Sequence, residues 1–323
     1  MTPPDERTSL PAGTTQLRKL LIGAIEVACV GGIAWVLYSR RHDLSLAFDL
    51  DVLDAAILIF LCAAAIPIRG LEFLTATGAL GIRLPFAQSS ALAQAATLLN
   101  FLPMQAGTLL RARIMKARSL TFARYVAIMG CVVLLNIAAA AMIGLLTLSA
   151  AREIPDATRS AAAAAFGGIA LAMLIAFLLP VQRIPLGQSW MSQRIRDALT
   201  GWQQLKADRR ALLILTCTSA ASPVLLGLRF WICFSVLSLQ VPPAESMFLG
   251  AAVLVALPIS ITPGGIGVRE LAASALGTAL GLGFPAVLAA VTLDRVVSLL
   301  FSVAAGSFSL AWLRRQKSWD VQA

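Results

Sequence analysis

The chain has a single histidine among 323 residues, His42, which follows Arg40 and Arg41 in a short polar stretch. One solvated imidazole cannot build a histidine-ligated metal site or a nucleophile–histidine triad. The five cysteines, Cys29, Cys62, Cys131, Cys217 and Cys233, are odd in number, all lie in apolar runs, and none forms a C-x-x-C pair. That pattern excludes a disulfide framework and a zinc cluster. No G-x-x-x-x-G-K-[ST] run occurs, so the chain does not power itself with ATP. Charge is scarce too: 13% of residues are charged and 59% are hydrophobic, against about 25% and about 45–50% in soluble domains. The net charge of +10 would suit nucleic acid if it lay on one polar face. Instead the basic residues sit between long apolar runs, the pattern of membrane topology. Neither a cofactor nor a nucleic-acid partner is expected. What remains, at a mean hydropathy of +0.83, is a multi-pass α-helical membrane protein.

The runs set the organisation. Residues 1–19 are polar and carry Pro3, Pro4 and Pro11, as a loose tail would. Leu20–Tyr38 is long enough to span and is followed by Ser39-Arg40-Arg41 rather than a small-residue cleavage site, so it reads as a retained first span. Further apolar runs cover Val52–Ile68, Ala87–Leu102, Phe122–Ser149, Ala161–Pro180, Ala211–Leu239, Ser246–Ile261, Ile266–Leu282 and Pro285–Leu313. The stretch 111–124 carries net +5 and 183–210 net +4, whereas 40–54 carries −2 and 240–245 carries −1. The positive-inside rule then places both termini, 69–124 and 183–210 in the cytoplasm of a plasma (bacterial inner) membrane. Within 183–210, Met191, Ile195, Leu199, Trp202 and Leu205 recur at helical spacing among basic residues. This predicts a basic amphipathic linker on the inner leaflet.

That orientation leaves two runs that cannot cross. Ala87–Leu102 begins and ends on the cytoplasmic side, and Ser246–Leu282 begins and ends outside. Both break at proline and glycine, in Pro103-Met104-Gln105-Ala106-Gly107 and Pro263-Gly264-Gly265-Ile266-Gly267. Proline and glycine four apart recur in each, with Arg111 and Arg269 following. The predicted fold is thus about six full spans plus two re-entrant or broken helical segments in inverted repeats. One membrane domain covers 20–313, with half one at about 52–149, half two at about 211–313, and a cytoplasmic tail at 314–323. Paired interrupted segments in inverted halves point to a transport site near the midplane; two spans kinked by proline are the plainer alternative.

The two broken segments also carry a resemblance. Residues Leu99-Asn100-Phe101-Leu102-Pro103-Met104-Gln105-Ala106-Gly107-Thr108-Leu109-Leu110-Arg111-Ala112 resemble the first signature of the lysylphosphatidylglycerol synthase transmembrane family, the flippase-like membrane proteins. Thr262-Pro263-Gly264-Gly265-Ile266-Gly267-Val268-Arg269-Glu270 is similar to its second and more distinctive one. The resemblance implies a helical module that moves, or helps to move, a lipid across the membrane. Some relatives fuse it to a soluble aminoacyl-transferase domain. This chain ends ten residues after its last apolar run, so synthase activity is not expected. Relatives usually carry an acid after the first motif's glycine, where Thr108 stands here.

Candidate headgroup contacts follow from the chemistry of the motifs. Glycines 264, 265 and 267, with Pro263, let a ligand approach the backbone, and the helix opening after them offers free N–H groups. Arg269 and Arg111 can clamp a phosphate, and Glu270 can pair with Arg269 when the site is empty. Asp294 and Arg295, a third of the way into the last run, read as cavity-lining. Asn100, Pro103 and Gly107 belong to the first break. Tight helix packing is the plain reading for the glycines, and interhelical hydrogen bonding for Asn100 and Asn136. For Glu26, Arg229 and the Arg69–Glu72 pair, which share one helix face at i,i+3, a structural role is expected. The charges inside the runs sum to zero if Glu26 offsets Arg229, Glu270 offsets Arg269 and Asp294 offsets Arg295. The functional expectation is an ATP-independent flippase or facilitator for an anionic phospholipid or polyprenyl-phosphate lipid. A secondary transporter of a small anion or amphiphile and an accessory membrane subunit of a lipid-biosynthesis enzyme remain open beside it.

Overall fold

The computed structural model describes residues 51–101, 106–116, 120–151, 155–178, 200, 202–256 and 267–316. The tail 1–19, the expected first span Leu20–Tyr38 with Glu26, and His42 lie outside the described residues. So do Pro103, Pro263, Gly264, Gly265, most of the linker 183–210 and the end of the C-terminal tail.

Among the described residues every regular element is an α-helix: α1 (Val52–Gly78), α2 (Phe86–Leu99), α3 (Ala106–Lys116), α4 (Phe122–Ala150), α5 (Asp156–Leu178), α6 (Arg209–Val236), α7 (Pro243–Ala256), α8 (Val268–Ala279) and α9 (Phe284–Arg315). Five of them, α1, α4, α5, α6 and α9, are long and apolar enough to cross a membrane. They match the expected spans that fall within the described residues, and the chain is a polytopic α-helical membrane protein. The starts are set locally. Thr121 caps α4 by accepting from the Arg124 N–H, Asp208 caps α6 by accepting from the Ala211 N–H, and a proline opens α9. Hydroxyls inside the spans return to their own helix, as Thr77 to the Phe73 carbonyl and Ser309 to the Ala305 carbonyl, which suits a medium without water.

The remaining four helices are short. At 1.5 Å per residue α2 and α7, 14 residues each, reach about 21 Å, and α3 and α8 reach about 16–18 Å. None crosses a hydrocarbon core of about 30 Å. The chain reverses between α2 and α3: Gly107 lies against the Ala96 carbonyl and Arg111 reaches the Ala93 carbonyl, so the two helices run antiparallel. This is a hairpin, not a span kinked by proline. Helices α7 and α8 likewise pack on each other across their break.

The hairpins come from opposite ends of the bundle. Ala76, late in α1, shares a core cluster with Ala211 and Leu215, early in α6. Leu58, early in α1, shares another with Phe230 and Cys233, late in α6. Helices α1 and α6 are therefore antiparallel. Because the first hairpin follows the end of α1 and the second follows the end of α6, they insert with opposite sense. Long–short–short–long occurs twice, once inverted.

The linker differs from expectation where it is described. Residues 202–207 are helical, and Trp202 and Leu205 are buried with Ile128, Val132 and Leu215. These two side chains pack on α4 and α6 instead of lipid.

Candidate functional site

Between the two hairpins lies a cavity of about 470 Å³ whose walls come from both halves of the chain. Its cationic lining is Arg69 from α1, Arg111 from α3, Arg229 from α6, Arg269 from α8 and Arg295 from α9. Five guanidiniums in a membrane interior demand partners or a ligand, since an isolated charge there is costly.

Three of them are met by two carboxylates. Asp294, fully buried at 0% exposure, uses Oδ1 to pair with Arg229 at 2.5 Å and Oδ2 to accept from Arg269. Arg229 also lies 3.5 Å from the Asp294 carbonyl. Arg295 stands 3.8 Å from Glu270 Oε1, and Glu270 Oε2 accepts the Gly267 N–H at 2.7 Å. Two consecutive residues of α8, Arg269-Glu270, thus meet two consecutive residues of α9, Asp294-Arg295, in opposite charge order.

The expected pairings are rearranged accordingly. Asp294 does not line the cavity; it is the counter-ion behind Arg229 and Arg269. Glu270 pairs with Arg295 rather than Arg269, since i,i+1 neighbours on a helix point about 100° apart and cannot face each other. Gly267, at φ +84°, opens α8, but Glu270 occupies its N–H, so that donor is not offered to a ligand. The positive φ is what glycine supplies there.

The first hairpin is built differently. Arg111 donates to the Ala93 carbonyl at 3.1 Å, lies 5.2 Å from the Phe73 ring centre, and leaves its Nε without a partner. Gly107 does not line the cavity. A Cβ there would strike the Ala96 carbonyl and Asn100 Oδ1, so glycine is what lets α3 close on α2. Asn100 does line the cavity, but its buried Oδ1 turns toward Gly107 and has no hydrogen-bond partner. Its neighbour Phe101 lies 5.1 Å beneath the Arg295 guanidinium. The edge of the first break and the start of α8 therefore converge on Arg295.

Several lining residues had been read as structural or passed over. Arg69 and Glu72 do sit on one face of α1, yet each bonds to another helix. Arg69 donates to Thr97 Oγ1 at 3.2 Å, and Glu72 accepts from Asn136 Nδ2 at 2.7 Å. Gln94 is buried, lines the cavity and leaves Nε2 unpartnered. Its signal in the sequence was a polar amide inside an apolar run, the same cue that singled out Asn100.

The arrangement defines a class: a polytopic helical membrane protein in which two oppositely inserted hairpins flank a cationic, partly desolvated cavity. The chain matches the family described as the lysylphosphatidylglycerol synthase TM region over residues 18–306, and it belongs to that family. No curated protein and no solved structure matches it.

Proposed function

We propose that the protein is an ATP-independent lipid flippase or translocation facilitator of a plasma membrane, with both termini cytoplasmic. In this reading the headgroup of an anionic phospholipid or polyprenyl-phosphate lipid passes through the cavity while its chains stay in the bilayer. The observation that carries the reading is the buried donor set. Gln94, Arg111, Arg229 and Arg269 all line the cavity, and Gln94 Nε2 and the three arginine Nε atoms are buried without hydrogen-bond partners. A buried donor left unmade costs about 1–3 kcal/mol, and an anionic oxygen is the acceptor this set fits. The physics of the task agrees. Acyl chains gain nothing by leaving lipid for protein, whereas a charged headgroup crossing hydrocarbon faces a large barrier. The protein need only supply a polar path.

The test is purified protein in liposomes carrying a fluorescent anionic lipid in one leaflet, with a panel of headgroups. The lipid is expected to equilibrate between leaflets without ATP. Accumulation of a soluble anion with no lipid movement would instead make this a small-solute transporter. Sidedness is checked with engineered cysteines: Ala106→Cys is expected to label from the cytoplasm and Gly265→Cys from outside. Labelling of both from one face would overturn the inverted insertion as a transport path.

A further inference from the structure

The three arginines at the second hairpin are not held alike. Arg229 and Arg269 are clamped to Asp294, whose side chain is 1% exposed. Arg295 is held by Glu270 at 3.8 Å, well beyond the roughly 2.7–2.9 Å of a tight charge-assisted hydrogen bond. The side chains of Arg295 and Glu270 keep 16% and 14% of their surface exposed, and Arg295 lines the cavity. Only one oxygen of Glu270 faces Arg295; the other accepts the Gly267 N–H, so the carboxylate keeps a partner if Arg295 lets go.

We infer that Glu270 is a built-in competitor for the cargo's anionic group at Arg295, a positioning residue that sets how tightly and how selectively the cavity takes a phosphate. The inference rests on the headgroup reading above and deepens it. A cargo phosphate replaces the Glu270 carboxylate at Arg295, and Glu270 retains its hold on the start of α8. A cargo without an anion cannot make the exchange. The pair scales the apparent affinity down to the fraction of time that Arg295 is disengaged from Glu270, which favours release. Because Arg295 also lies against Phe101, the exchange is felt at both hairpins.

The experiment is calorimetric titration of the full chain in detergent with two probes, monomeric dihexanoylphosphatidylglycerol and inorganic phosphate. Glu270→Gln keeps an acceptor for the Gly267 N–H and removes the competing charge. It is expected to bind at least threefold more tightly than the parent protein, with its thermal midpoint little changed. Arg295→Gln is expected to bind at least fivefold more weakly. The probe that shows the gain tells whether the anion is a lipid headgroup or a free phosphate. If Glu270→Gln does not fold, Glu270→Asp, which shortens the reach to Arg295, is expected to show a smaller gain. Parent protein that binds a probe, with no gain in either Glu270 variant, overturns the competitor role alone. Binding by neither parent nor variants overturns the headgroup reading and the inference with it.

Discussion

The two hairpins share a sequence device and solve its electrostatics in opposite ways. Each breaks at a proline and a glycine four residues apart, and each puts an arginine just beyond the break. In the first, Arg111 rests on a backbone carbonyl and a phenylalanine face, with its Nε unpartnered. In the second, Arg269 is locked with Arg229 onto Asp294. At the first pole the Arg111 Nε has no partner; at the second, Arg229 and Arg269 share one carboxylate and keep one net positive charge, while Arg295 and Glu270 form a longer one-to-one pair that can be exchanged.

The sharpest way to break this contrast is at Asp294. Asp294→Asn leaves Arg229 and Arg269 buried without a counter-charge and is expected to destabilise the protein by about 3–5 kcal/mol, read as loss of folded protein in thermal unfolding in detergent. If that variant is as stable as its parent, the second pole is not the structural lock described. Next in size is Gly107→Val. Its side chain is forced onto the Ala96 carbonyl, and opening the first hairpin is expected to cost about 2–3 kcal/mol, visible as a lowered thermal midpoint together with slowed lipid exchange. Arg111→Gln separates the two poles most cleanly. Lipid exchange or anion binding is expected to fall about tenfold with the midpoint little moved. Arg229→Gln, by contrast, moves the midpoint more than binding. Equal behaviour of these two variants would dissolve the comparison. Smallest is Gly267→Ala, where a positive φ imposes a strain of about 1 kcal/mol on the start of α8; a modest midpoint shift is the expected readout.

Much of the fold was legible because hydrocarbon enforces simple rules. The spans α1, α4, α5, α6 and α9 follow from apolar length, and the hairpins from charge on both flanks of a run too short or broken to cross. Yet the apolar run ending at Ile68 understated α1, which continues through Arg69 and Glu72 to Gly78. Those charges are tolerated because Thr97 and Asn136 meet them from other helices. The site was half legible. Arg111 and Arg269 were found as charges just after broken helices, Arg295 as a charge inside the last apolar run, and Asn100 as a polar residue of the first break. Asp294 was misplaced and Gln94 missed, since which face of a helix meets the cavity depends on neighbours hundreds of ångström-scale contacts settle together. Glu270 was paired with the wrong arginine, because adjacency along the chain is not adjacency on a helix.

Composition alone determined that this chain dissolves in a membrane. The scarcity of charge also made each buried charge conspicuous, so the sequence marked the participants. Their partners were decided only by the tertiary structure. Net neutrality constrains how many carboxylates and guanidiniums are buried, but Coulomb attraction falls with distance, and only the packing of α6, α8 and α9 sets which oxygen lies near which nitrogen. That packing gave Asp294 two arginines and left Arg295 to Glu270.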